Sequence, residues 1–194
     1  MSDLFVDNIK HQSSQGSGTI TLGASGETIS VPSGATLDLS NATQTGVGGA
    51  NSPYFQAYQS GSAQTIGATW TKVQINNEVV DSANAYDNSS NYRFTPQTAG
   101  KYLVVSNVFL DSDANSNFSQ GFIELYKNSS VITEAIMDER SGNDARRRSV
   151  HISAIVDMNG SSDFLLVQGY IDMTSSGTPQ IGDMSTFSAF KIIE

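Results

Sequence analysis

No cysteine occurs among the 194 residues of this chain, which excludes a disulfide scaffold and any thiolate metal site and fits folding in a reducing compartment. Durability must then come from packing or oligomerisation. Charge is also scarce. Only 15% of residues are charged, so Ser, Thr, Asn and Gly solvate most of the surface, a composition that favours all-β folds. The few charges are unbalanced, 10 basic against 19 acidic for a formal net charge of -9. A field of that sign repels nucleic-acid phosphates and anionic lipid heads, so neither is an expected partner.

Catalytic parts are equally thin. The only two histidines are His11 and His151, there is no Gly-x-Ser-x-Gly elbow, and no phosphate-cradling Gly-x-x-x-x-Gly-Lys-Ser/Thr run is present. Carboxylate pairs for glycoside cleavage depend on facing positions that sequence does not supply. The expectation is a protein that is not an enzyme and carries no cofactor. No stretch approaches the roughly 18 apolar residues that span a bilayer, and Met1-Ser2-Asp3-Leu4-Phe5 lacks the basic and apolar regions of a secretory signal. A soluble product made in the cytoplasm, without membrane insertion, is predicted.

What is present begins with a small apolar tag, Leu4-Phe5-Val6 and Ile9, a candidate attachment point. Three short alternating segments follow, Thr19-Ile20-Thr21-Leu22, Thr28-Ile29-Ser30-Val31 and Thr36-Leu37-Asp38-Leu39, with Gly23, Gly26 and Gly34 between them as turn formers. This predicts an extended β arm over residues 1–40. Its few aliphatic side chains cannot close a core in one chain, so such an arm gains stability only from neighbouring copies or from another protein's surface; a disordered tail is the alternative. Residues 41–52 have no charge and no apolar periodicity and read as a flexible linker.

From residue 53 to 194 apolar alternation recurs without a helical period. It predicts ten strands, at 54–58, 68–75, 78–81, 91–95, 101–110, 118–127, 130–138, 146–158, 163–173 and 184–193. In 146–158, Val150, Ile152, Ala154 and Val156 share one face while His151 and Ser153 take the other. The segment 101–110 is apolar on both sides, with Tyr102, Val104 and Val108 on one face and Leu103, Val105 and Phe109 on the other. In a small sandwich the second set asks for cover from another subunit, which makes Leu103, Val105 and Phe109 candidate trimer-interface residues.

Several motifs of this region occur in a recognisable order: Trp70-Thr71-Lys72-Val73, Tyr86-Asp87, Tyr92-Arg93-Phe94-Thr95-Pro96, Ala99-Gly100-Lys101-Tyr102, Leu125-Tyr126-Lys127-Asn128, and a closing Phe187-Ser188-Ala189-Phe190. Together they resemble the globular head of complement C-one-q, within the tumour-necrosis-factor-like jelly-roll group. The resemblance implies a ten-stranded jelly-roll β-sandwich, a homotrimer, and ligand recognition by surface loops without catalysis. Ala189 stands where that family usually has glycine, and no collagen-like stalk precedes the head. The arm instead looks like the leaders of fibre and decoration proteins of marine tailed bacteriophages. That likeness implies a virion surface protein, a short fibre or capsid decoration spike whose arm binds capsid or tail proteins and whose head is available to host surface glycan. A soluble complement-like module outside a virus and a glycan-degrading spike are the alternatives.

Two further clusters carry alternative readings. Asp111-Ser112-Asp113-Ala114-Asn115-Ser116-Asn117 places alternating oxygen donors on a short loop, which suits Ca2+ with Asp111, Asp113 and Asn115 as ligands. Ser116 and Phe122 stand where an EF-hand needs glycine and glutamate, and a polar turn is the simpler reading. Arg146-Arg147-Arg148 is either a cationic spot for anionic glycans or a set of partners for the nearby Asp138, Glu139 and Asp144.

Overall fold

A computed structural model describes residues 25–26, 28–38, 51–112, 118–139, 145–174 and 177–192. The chain divides into two compact units, Met1–Thr45 and Gly46–Glu194. In the first, residues 28–38 contain no strand, contrary to the β arm predicted there. Ile29, Val31 and Leu37 are exposed, and the one turn is closed by the Ala35 N–H donating to the Pro32 carbonyl at 3.0 Å. An alternating sequence becomes a strand only when a neighbouring edge takes its backbone hydrogen bonds, and among the described residues no strand pairs with 28–38. Thr19–Leu22, Leu39 and the Leu4, Phe5, Val6 and Ile9 tag lie outside the described residues.

The second unit is an all-β sandwich of thirteen strands among the described residues: β1 (Tyr54–Tyr58), β2 (Gln64–Thr65), β3 (Thr71–Lys72), β4 (Asn77–Asp81), β5 (Tyr86–Asp87), β6 (Arg93–Phe94), β7 (Ala99–Asp111), β8 (Phe118–Lys127), β9 (Ser130–Asp138), β10 (Arg147–Asn159), β11 (Leu165–Met173), β12 (Gln180–Ile181) and β13 (Thr186–Lys191). Ten of these coincide with the predicted strands. The other three, β2, β5 and β12, are two residues long, too short for any alternation to register. The segment predicted at 68–75 shortens to β3. There the Gln64 side chain donates to the Lys72 carbonyl and accepts the Gln74 N–H, both at 2.8 Å, and so replaces part of a strand partner.

One sheet runs β2-β12-β7-β13-β1-β4, with β10 paired along the free edge of β7; the other runs β5-β6-β11-β8-β9, with β3 also on β11. All pairings are antiparallel. The long β7 is central because β10 pairs with it from Arg147↔Asp111 to Asn159↔Ala99, while β13 and β12 share its other edge.

The motif residues explain the core. Phe55 of β1 stacks between Tyr86 and Phe94, each with a ring centroid 4.5 Å away, and meets Phe187 edge-on at 5.0 Å. Phe94 in turn meets Tyr102 at 5.7 Å. Four separated motifs therefore supply one aromatic cluster, held together by burial and by offset and edge contacts between rings. The polar ends are satisfied, with Tyr86 Oη donating to the Ile75 carbonyl and Tyr102 Oη to the Thr98 carbonyl, both at 2.7 Å. Burial pushes the Tyr102 phenol up to about 12. Ala189 is fully buried between its register partners Phe55 and Val104.

Asn128 closes the β8–β9 hairpin at φ 57°, a left-handed conformation that Asn tolerates. Its side chain donates to Asp163 Oδ1 at 2.9 Å and accepts the Phe164 N–H at 3.0 Å. The Leu-Tyr-Lys-Asn motif thereby pins this hairpin to the turn between β10 and β11.

Candidate functional site

Antiparallel register determines which side chains meet on the outer face of the first sheet. On β7 the buried set is Tyr102, Val104, Ser106, Val108 and Leu110, and the alternate residues Leu103, Val105, Asn107 and Phe109 point outward. Their register partners point the same way. Leu103 pairs with Phe190 of β13 and with Ile155 of β10, and Phe190 pairs with Tyr54 of β1. Tyr54, Phe190, Leu103 and Ile155 thus form one apolar row across four strands. The next row is Gln56, Ser188, Val105 and Ser153, and the third is Tyr58, Thr186, Asn107 and His151.

Most of this face is open in the single chain. Phe190 is 42% exposed and Ile155 63% exposed. A groove of about 480 Å3 runs beside Tyr54, Val80, Ser188 and Phe190. The three rows contain no Asp, Glu, Lys or Arg. Charge returns only at the ends, where Lys101 meets Asp157 at 3.6 Å and Arg147 Nε meets Asp111 Oδ2 at 2.7 Å. Loss of charge from the centre of a patch, with polar groups at its rim, is the compositional mark of an interface. In the third row Asn107 Oδ1 is buried and has no hydrogen-bond partner among the described residues.

The three residues singled out from sequence therefore share a face, but they are not equivalent. Leu103 and Val105 lie in the first two rows. Phe109 sits further along, packed over Gly182 with the Arg147 guanidinium 6.0 Å from its ring centre. Tyr54, Ile155 and Phe190 were missed, since pairing brings together positions 54, 103, 155 and 190 and no local pattern connects them.

Asp111 is buried at the end of β7, where its carboxylate receives Arg147. The two other proposed calcium ligands, Asp113 and Asn115, lie outside the described residues. Arg148 pairs with Glu139 at 3.0 Å, so two members of the arginine run meet acids, one of them the distant Asp111. His151 lies mid-strand on the outward face, as its alternation predicts.

A second concave patch lies on the outer face of the other sheet. Trp70, Phe122 and Tyr170 gather there beside Gln120 and Glu134 around a hollow of about 280 Å3. Sequence reasoning placed Trp70 in a family motif only, and the structure leaves it 41% exposed.

No family model and no curated protein matches this sequence. Among solved structures, murine APRIL at pH 5.0 superposes with a TM-score of 0.53 at 11% identity, covering 72% of this chain and 98% of that one. Murine APRIL at pH 8.5 gives 0.52 at 10% identity with the same coverage. The Eiger TNF structure from S. frugiperda reaches 0.45 at 10% identity, covering 72% and 93%. At such identities the likeness concerns the fold alone: the larger unit is a jelly-roll β-sandwich that shares the fold of murine APRIL.

Proposed function

We propose that this protein is a non-enzymatic, homotrimeric head that sits on the surface of a tailed-bacteriophage particle, as a short fibre or capsid decoration spike anchored by its N-terminal arm. The observation that carries the trimer is the row Tyr54, Phe190, Leu103 and Ile155, the first of three adjoining rows without Asp, Glu, Lys or Arg. Covering a large apolar side chain is worth about 1.5–3 kcal/mol, so a row of four repeated round an axis supplies enough to offset the entropy of association. A three-fold axis repeats one contact and closes, which leaves no sticky surface for further growth. Resemblance to the complement-type heads adds weight to three rather than two.

The virion assignment rests on the arm. Its Gly/Thr/Leu leader resembles those of phage fibre and decoration proteins, and Ile29, Val31 and Leu37 are apolar side chains without cover in one chain. A neighbouring capsid or tail protein would provide that cover. Mass spectrometry and imaging of purified particles test the assignment: the expected result is a fixed copy number at one location, and absence from every particle overturns it. The likeness of fold to APRIL favours a second reading, a soluble binding module outside a virus, in which the trimer stands and the particle does not.

A further inference from the structure

The cup on the second sheet is built from three strands and a loop. β8 lies between β11 and β9, and register sets Phe122 between Tyr170 and Ile136, and Glu124 between Gln168 and Glu134. The residues between them, Ile123 and Gly169, point into the sandwich. Trp70, just before β3, closes the cup, its ring centre 5.7 Å from Tyr170 and 6.0 Å from Phe122. The Phe122 and Tyr170 rings stand 5.6 Å apart at 81°. Tilted rings of this kind form walls with open faces rather than a closed stack.

The rim carries hydrogen-bonding groups with capacity to spare. Glu124 is 8% exposed and does not itself line the hollow; its buried Oε2 has no hydrogen-bond partner among the described residues. Directly opposite it lies Glu134, an acceptor that lines the hollow. Gln120 adds an amide, which offers both donors and acceptors. Burial pushes the Glu124 carboxyl up; a hydrogen bond from Tyr126 lowers it and the facing Glu134 raises it again.

We infer that this cup is a carbohydrate site, in which a pyranose lays its C–H face on Trp70 and Tyr170 while its hydroxyls reach Glu134 and Gln120. Apolar ring walls with a few convergent polar groups are what an oriented small ligand needs. A quaternary ammonium would also suit aromatic walls and acids. It has no use for the Gln120 amide, however, whereas a sugar hydroxyl can pair with both its donors and its acceptor. The inference deepens the reading of the head as a binding unit and rests on it for multiplicity: the cup is on the sheet opposite the proposed trimer face, so a trimer would present three, and linked weak sites bind an extended glycan far more tightly than one.

Trp70 is the only tryptophan in the chain, so the intrinsic fluorescence of the full-length protein reports on the cup directly. Glucose, galactose, mannose, N-acetylglucosamine and their β-linked oligosaccharides are titrated in parallel with choline chloride. The expected result is a saturable emission change with at least one sugar and none with choline. Glu134→Gln removes a like charge facing Glu124, so the fold is not at risk, and it should weaken binding about tenfold through the lost charged acceptor. Tyr170→Ala should abolish the change, with circular dichroism checking that the variant is folded. No saturable response to any sugar, a response to choline alone, or titrations unaltered in a folded Glu134→Gln protein overturns the proposal. Light scattering on the same samples reports the oligomeric state, so failure of the sugar site and failure of the trimer are read separately.

Discussion

Phe190 and Leu103 are direct register partners across β13 and β7, and both side chains point away from the sandwich. Each is flanked by another outward apolar residue, Tyr54 on one side and Ile155 on the other. The pair marks the middle of the proposed subunit contact, and its neighbours provide the cleanest way to disturb it.

Ile155→Asp should convert the proposed trimer to a folded monomer. At 63% exposure the side chain contributes little to the single chain's own packing, whereas a carboxylate placed in a dry contact without a partner is strongly unfavourable. Phe109→Asp is a less selective probe, because the Phe109 ring also packs over Gly182 of its own chain. Light scattering with circular dichroism checks this; a parent protein that is monomeric at micromolar concentration ends the trimer reading.

Deletion of residues 1–40 should leave a soluble head that no longer joins the particle proposed for it. The head has its own core, from Phe55 and Val104 to Phe187, all buried. Particle composition is measured after complementation with the truncated protein. Incorporation at the normal copy number would make the head, not the arm, the anchor.

Acid should destabilise the head through two carboxylates. Hydrogen bonds from the Ser90 and Ser89 backbone N–H groups, at 2.9 and 3.0 Å, hold Asp87 well below the usual carboxylate range. Asp163 is lowered by the Asn128 amide at 2.9 Å and the Lys127 ammonium at 2.9 Å. Folded values below the unfolded ones mean that this stability is present above about pH 4 and is lost as pH falls through the folded values. Thermal melts should fall below about pH 4. Asp163→Asn should cost about 1–2 kcal/mol at neutral pH and flatten the acid limb of the curve.

Gly160→Ala should destabilise the head by about 1–3 kcal/mol. Gly160 turns the chain from β10 towards β11 at φ 70°, and a β-carbon there would collide with the Ala99 backbone. A backbone obstacle cannot swing aside as a side chain can. Chemical denaturation of the purified variant measures the loss, and an unchanged midpoint would show that the turn relaxes freely.

The amino-acid sequence by itself determined the all-β class, most strand positions and the division of β7 into two apolar faces, because alternation with period two is local and each long strand carries its own pattern. It also placed Phe94, Tyr102 and Phe187 among the motif residues that the aromatic core then uses. Tertiary structure alone decided which outward residues become neighbours. The apolar row needs Tyr54, Leu103, Ile155 and Phe190 in one line, and the cup needs Trp70, Phe122 and Tyr170 on one face. Strand order and register create both, and these follow from how the sheets pair and pack, not from the spacing of residues along the chain. The same reason leaves the predicted arm strand at 28–31, and the described part of the one at 36–39, without strand structure: an alternating segment is only a half of a sheet until another edge accepts its hydrogen bonds.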